Sequence, residues 1–372
     1  MEAIGVFIFM RYCLVMRFRA FLFFSLLFVP LLASAQDLPV EEEYVKAKVL
    51  SIEDVQLENN RLRQNADLKI LSGENECETV SIENTIKGSR ESLRLNQGDR
   101  VILQRFTQID GESGYILHEK YRLNSLWILA ILFLVLGVII GGKRGASAIA
   151  GLAASIAVVI FFIVPSIVSG VSPLLISMVG CVLIACISIY LAHGFNRRAS
   201  VALISTIITL VFAVGITIVA VSFAKLFGMG AEEALFLQFG PLEQVNLRGL
   251  LLGGILIGSL GVLDDVTAAQ AAAIDELSKA NPNLSFRDLY SSGTSIGREH
   301  IASMINTLAL AYAGASLPLL MLFWIDQEAP LWVILNSEFL AEEIVRTLIG
   351  SSALLLAVPI STWIAAGVFG RK

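Results

Sequence analysis

From Leu126 to the C-terminus the chain is apolar in seven blocks, at 126–140, 145–169, 173–192, 201–223, 247–271, 301–324 and 348–369. About 20 residues of helix cross a bilayer, so each block can span with modest tilt. The reading is an α-helical bundle of about seven transmembrane helices. Hydrophobic residues make up 56% of the 372 and charged residues 16%, which excludes a soluble protein of this length.

The charges between blocks orient the bundle. One set of connections carries Lys143, Arg144, Arg197, Arg198, Lys279, Arg287 and Arg298, and the tail ends in Arg371-Lys372. The other set carries Glu232, Glu233, Glu243, Asp326, Glu328, Glu338, Glu342 and Glu343. Lys225, Arg248 and Arg346 depart from this pattern only at helix margins. By the positive-inside rule the bundle starts outside and ends in the cytoplasm. The net charge of −5 therefore says little, because acids and bases lie on opposite sides. There is no internal repeat, so an inverted-repeat transporter architecture is not supported.

Two different segments precede the bundle. Residues 1–35 read as a signal peptide, with Arg17 and Arg19 as the basic region, residues 20–32 as the apolar region and Ala33-Ser34-Ala35 as the cleavage site. Met16 begins that unit, making the first 15 residues an upstream extension. The alternative is an uncleaved anchor helix. Residues 36–124 carry short alternating runs at Tyr44–Val49, Asp67–Ile70 and Arg100–Leu103. Turn signals at Ser72-Gly73, Gln97-Gly98-Asp99 and Asp110-Gly111 separate them. Five or six strands in this length predict a small all-β barrel or sandwich, exported with the signal. Its mixed charges show no nucleic-acid patch. Of Cys13, Cys77, Cys181 and Cys186 only Cys77 falls in this domain, so no internal disulfide forms there. No zinc spacing is present and no cofactor is expected.

The fifth block holds the most constrained chemistry. It runs without a helix breaker into Asp264 and Asp265, then into Asp275 and Glu276, before Asn281-Pro282 stops it. Ionisable residues within a membrane span are expensive and usually functional. Two adjacent desolvated aspartates do not both stay ionised unless a cation or base stands beside them. Gly254, Gly258, Gly261, Asp265, Ala268 and Ala272 recur at helical spacing, a pattern that lets two membrane helices approach closely. Asp265 is thereby expected in the bundle interior, with Asp264 about 100° round the helix. The plain alternatives are a packing stripe alone and a wet interfacial position for the acids.

The sixth block has a comparable stripe of Glu299, Ala302, Asn306, Ala309, Ala313 and Ser316, which is expected to face the fifth and bring Glu299 and Asn306 near Asp265. Arg298 reads as a positive-inside residue or as a counter-ion to an aspartate, and His300 as a polar anchor or a functional group. Ser285 with Asp288 forms a capping box ahead of this helix. Enzymatic readings fail. Asp264-Asp265 with Asp275 lacks the short spacing of aspartate-rich metal motifs, and no other span supplies the second aspartate an intramembrane protease needs.

The stretch Gly258-Ser259-Leu260-Gly261-Val262-Leu263-Asp264-Asp265-Val266-Thr267, with Gln270 after it, resembles the signature of the YibE/F-like family of bacterial multi-pass membrane proteins. Ile296-Gly297-Arg298-Glu299-His300-Ile301-Ala302-Ser303, continued by Asn306-Thr307-Leu308 and residues 311–316, is similar to the family's second block. The resemblance covers the chain from about Leu126 onward. It implies a cytoplasmic-membrane protein of this architecture and no established activity. The expected function is a permease for an unknown solute or ion. Its coupling or ion-binding candidates are Asp264, Asp265, Thr267, Gln270, Arg298, Glu299, His300 and Asn306, with Gly254, Gly258 and Gly261 as packing residues. The metal is left open. The partners expected are the lipid bilayer and the transported species. The rival is a non-transporting receptor or scaffold whose exported domain binds an extracytoplasmic protein.

Overall fold

The computed structural model describes residues 43–57, 61–73, 75–87, 94–107, 113–240, 242–325 and 330–370. The segment read as a signal peptide and the Asp110-Gly111 turn lie outside these residues. The chain divides into two compact units, Met1–Phe133 and Leu134–Lys372.

In the first unit five antiparallel strands, β1 (Glu43–Leu57), β2 (Arg61–Ile70), β3 (Thr79–Lys87), β4 (Arg100–Thr107) and β5 (Ser113–Lys120), form one sheet in the order β3-β2-β1-β4-β5. Bulges between Val49 and Ser51 and between Ile102 and Leu103 bend it. The two edges thereby curl towards each other, and Asn75 Nδ2 beside β3 donates to Tyr115 Oη on β5 at 3.2 Å. The result is a half-barrel. Alternation places Val45, Ala47, Val49, Ala66, Leu68, Ile70, Val101 and Leu103 on its concave, buried face. Leu95 plugs that face, and the buried Gln64 satisfies both backbone groups of Leu95, accepting from its N–H at 2.7 Å and donating to its carbonyl at 3.3 Å. Gly73 and Gly98 turn the chain at φ of 98° and 91°, where the sequence places turns.

The helical elements are α1 (Leu123–Val158), a π-helical turn (Val159–Ile163), α2 (Val164–Val168), α3 (Pro173–His193), α4 (Arg197–Phe223), α5 (Glu232–Phe239), α6 (Leu247–Ala280), α7 (Phe286–Ala315), α8 (Leu317–Ile325), α9 (Leu331–Leu335) and α10 (Glu338–Phe369). By length and composition five helical stretches can cross a membrane, or six if the bent pair α7–α8 is one span. The longest of the five, Leu123–Val168, has 46 residues and would measure about 69 Å if straight, over twice the hydrocarbon thickness. It is not straight. Gly142 has φ 57° and ψ −139°, and a Cβ on Gly145 would fall on the carbonyl of Gly137. Residues eight apart meet only if the chain doubles back at Gly142.

In the second unit α6 packs against α3, α4 and α10, and α10 also packs against α4 and α7. The buried hydroxyls of Ser205, Thr206, Thr209 and Thr217 on α4 and Ser361 and Thr362 on α10 bond the carbonyl one turn back, so they enter an apolar core with no unmet donor. At one end of the bundle Glu338 on α10 accepts the backbone N–H groups of Phe227, Gly228 and Met229, and Glu342 accepts that of Gly230. At the other end Ser278 on α6 donates to the carbonyl of Phe369 at 2.8 Å.

The close approaches differ from the expected glycine stripe. Gly249 and Gly253 bring α6 onto α3, since a Cβ on Gly253 would meet Ser177 Oγ at 2.3 Å and one on Gly249 Pro173 at 3.4 Å. Gly254 and Gly261 have nothing within 4 Å of that position, and Gly258 has only Tyr312 Oη at 3.2 Å. On α7 the packed face is Leu289, Gly293 and Gly297, against Ile274, Gln270, Val358 and Thr362. Gly297 and Glu299 are about 200° apart round a helix. The stripe from Glu299 through Ser316 therefore points away from the core: Glu299, Ala302, Asn306 and Ala313 are exposed, and Ala309 and Ser316 half-buried. Small residues allow close approach but do not compel it, and each helix offers two such faces.

Candidate functional site

Asp264 lies about 26 Å along α6 from Leu247, roughly midway along a 34-residue helix. Val266, Thr267, Gln270 and Ala271 are buried, so the acids sit where the packed side of α6 gives way to its open side. Asp264 is half-buried, and its Oδ1 is fully buried with no hydrogen-bond partner. The Ser188 hydroxyl on α3 faces the Asp264 carboxyl. Asp265 is exposed from the protein interior. This reverses the expectation that Asp265 is the interior acid. The stripe it continues borders open space, and the 100° step carries Asp264 inward.

Two cavities meet at Asp265. The first, about 1180 Å³, is a vestibule at the Phe369 end of the bundle whose charged lining is Lys143, Arg144, Arg197, Arg198, Lys279, Asp265 and Asp275. The second, about 510 Å³, reaches Asp264 between α1, α3 and α6, with Ser155 and Ser188 as its hydroxyl groups and aliphatic side chains elsewhere. Ala148, His193 and Asp265 line both and form the neck.

The vestibule's charges fall into two groups. Arg198 pairs with Asp275 and Glu276, and Lys279 pairs with Asp275 at 2.8 Å. Asp275 is buried within this network and ties α4 to α6. Lys143, Arg144 and Arg197 make no ion pair among the described residues.

The other sequence candidates do not converge on this site. Thr267 is fully buried, with its Oγ1 2.6 Å from Thr206 Oγ1. Gln270 is buried and donates to the Gly293 carbonyl at 2.6 Å and to Thr362 Oγ1 at 2.7 Å. Both pin α6 to its neighbours. Arg298 and Asn306 are exposed, like Glu299, and none of the three lines either cavity. His300 is half-buried with an unpartnered Nε2, also away from both. The sequence reading missed Ser155 and Ser188, which show only as isolated polar residues in apolar blocks, and His193, which directly follows the third block. Among the described residues no group of three or more His, Cys, Asp or Glu is arranged for a metal ion.

Chemically, the site offers a carboxylate oxygen without a donor, hydroxyl oxygens beside it, and a charged path leading to it. A β half-barrel followed by several long apolar helices, with an acid in a pocket among them, is the architecture of a multi-pass membrane protein. Residues 129–371 match the family model described as YibE/F-like protein, and the chain belongs to that family. No curated protein and no solved structure matches it.

Proposed function

We propose that the chain is a permease of the bacterial cytoplasmic membrane, moving an unidentified solute or ion with a proton or cation coupled at Asp264 and Asp265. The observation that supports it is the joined pair of cavities, which leads from a basic vestibule past Asp265 to the unpartnered oxygen of Asp264. A carboxylate with one buried, unpartnered oxygen is costly, and one reached from a charged vestibule suits an ion that comes and goes.

The reading carries a topology. Treating the two arms around Gly142 as separate spans and α7–α8 as one gives seven. With the signal at residues 1–35 cleaved, the β domain of residues 36–124 lies outside the cytoplasm and the C-terminus lies inside. Five cations of the connections gather at the Phe369 end, with the acidic Glu338 and Glu342 at the other, the separation that the positive-inside rule associates with a cytoplasmic basic end.

The test is flux. Purified full-length protein in liposomes is assayed for proton and cation movement beside Asp264→Asn and Asp265→Asn. Protein-dependent flux that falls at least tenfold in the Asp264 variant supports the permease. Flux no greater than in empty liposomes overturns it in favour of a receptor or scaffold.

A further inference from the structure

The second cavity carries a more specific assignment, which rests on the permease reading and deepens it. We infer that Asp264, Ser155 and Ser188 form a binding site for one small, hard monovalent cation of the sodium class, held partly dehydrated between α1, α3 and α6.

The donor set comes first. The polar groups lining the cavity inside the neck are a carboxylate and two hydroxyls, all oxygen. Oxygen donors select hard cations, whereas softer metals need imidazole or thiolate. The remaining lining includes Leu152, Ile156 and Leu260, which supply no ligand.

The hydrogen bonds then separate a cation from ordinary packing. A carboxylate only accepts, and Oδ1 of Asp264 is fully buried without a donor. Ser155 does not supply one, because its hydroxyl donates to the Gly151 carbonyl at 2.9 Å. Its oxygen lone pairs thus remain available to the cavity. The Ser188 hydroxyl on α3 donates to the same carboxyl, and its own lone pairs face the cavity it lines. Oxygens from three elements thus line one cavity, and a cation held there neutralises the Asp264 carboxylate.

Charge and size fix the class. Asp264 is the one charge deep in the cavity, since Asp265 stands at the neck it shares with the vestibule and its cations. A single negative charge matches a monovalent ion; a divalent ion calls for more carboxylates than the pocket holds. A volume of about 510 Å³ leaves room for several waters at roughly 30 Å³ each to complete the coordination shell.

The experiment is equilibrium binding to the purified full-length protein in detergent, at constant pH, with choline replacing sodium at constant ionic strength. Calorimetric and thermal-shift titrations with sodium chloride should show one saturable site and a rising melting temperature, as expected when a ligand binds only the folded state. Lithium should substitute, and potassium should bind at least tenfold more weakly. Asp264→Asn should abolish the response. Ser155→Ala and Ser188→Ala, conservative enough to keep the fold, should each weaken it about tenfold, while Glu233→Gln on α5 leaves it intact. Melting temperatures in choline alone show whether each variant is folded. No sodium-specific response in the wild type, or an unchanged response in folded Asp264→Asn and Ser188→Ala, overturns the assignment; stabilisation that varies with pH and not with sodium assigns the pocket to a proton. Binding requires no transport, so sodium binding without flux leaves this site standing and sinks the permease, and flux without sodium binding does the reverse.

Discussion

Replacing Gly293 by alanine tests the packing of α7 most sharply, because the sequence stripe and the structure make opposite demands on α6 and α7. A Cβ at Gly293 would stand 2.1 Å from Ile274 Cδ1 and 2.9 Å from Thr362 Cγ2, whereas ordinary contact begins at 3.4 Å. Ile274 would have to withdraw by the difference, 1.3 Å, yet it is fully buried. Thr362 has little freedom either, as its hydroxyl donates to the Val358 carbonyl at 2.6 Å and accepts from Gln270. Overpacking of this kind costs about 1–3 kcal/mol. Moving α7 outward instead stretches the bond from Gln270 to the Gly293 carbonyl, and an interhelical hydrogen bond in a membrane is worth about 0.6 kcal/mol. Gly293→Ala should therefore lose about 2–3 kcal/mol. Gly254→Ala adds a methyl group where nothing lies within 4 Å and removes a flexible residue from a helix, so it should be neutral or gain about 0.5–1 kcal/mol. Unfolding in mixed micelles, followed by tryptophan fluorescence, measures both. If Gly293→Ala is as stable as the wild type, or Gly254→Ala is the worse of the two, the packing described here is wrong.

Asp275→Asn should destabilise by about 1–3 kcal/mol in the same assay, because Arg198 and Lys279 lose a shared, buried carboxylate. Asn306→Leu, at an exposed position on α7, should stay within about 0.5 kcal/mol, and equal losses would contradict the placement of these two residues. In the half-barrel the hydroxyls of Ser81 and Ser51 hold the Asp67 carboxyl below the usual carboxylate range. A lowered folded value stabilises above the unfolded value of about 3.9, and that stability disappears as pH falls through the folded one. Asp67→Asn should thus flatten the acid limb of the domain's stability curve, and an unchanged limb would discount these bonds. For topology, in a background with the native cysteines replaced by serine, Phe195→Cys should resist an impermeant thiol reagent in intact cells while Glu233→Cys reacts. The reverse pattern would invert the bundle.

The features legible in the sequence are those set by local pattern. Alternation at Tyr44–Val49 and the glycines at 73 and 98 mark strands and turns, because strand period and positive φ are properties of single residues and their neighbours. The apolar blocks mark helices for the same reason, and the capping box of Ser285 with Asp288 forms as its spacing predicts. What was not legible is which face of each helix meets which neighbour. Gly254–Gly258–Gly261 and Gly249–Gly253 are equally good small-residue stripes on α6, and only the positions of α3 and α7 decide between them. The same ambiguity exchanged the roles of Asp264 and Asp265, and it hid Gly293 and Gly297 behind the more polar stripe on the opposite face of α7. Ser155 and Ser188 lie 33 residues apart, numbered 155 and 188, and 109 and 76 residues before Asp264; no local spacing connects them.

Two sequence candidates that are buried in contacts between helices, Thr267 and Gln270, bear on Asp264 as well. Thr267 is three residues beyond it and Gln270 six, so both lie within two helical turns. Thr267 is held to Thr206 on α4, and Gln270 to Gly293 on α7 and Thr362 on α10. These bonds fix the rotation of α6 about its own axis on the packed side. A helix free to rotate by 100° would exchange Asp264 for Asp265 at the cavity, and with it a hydroxyl-lined pocket for a vestibule of cations. An ion site needs its first ligands held by neighbours whose own positions are fixed. In the proposed site, Thr267 and Gln270 provide that hold from the packed side of α6.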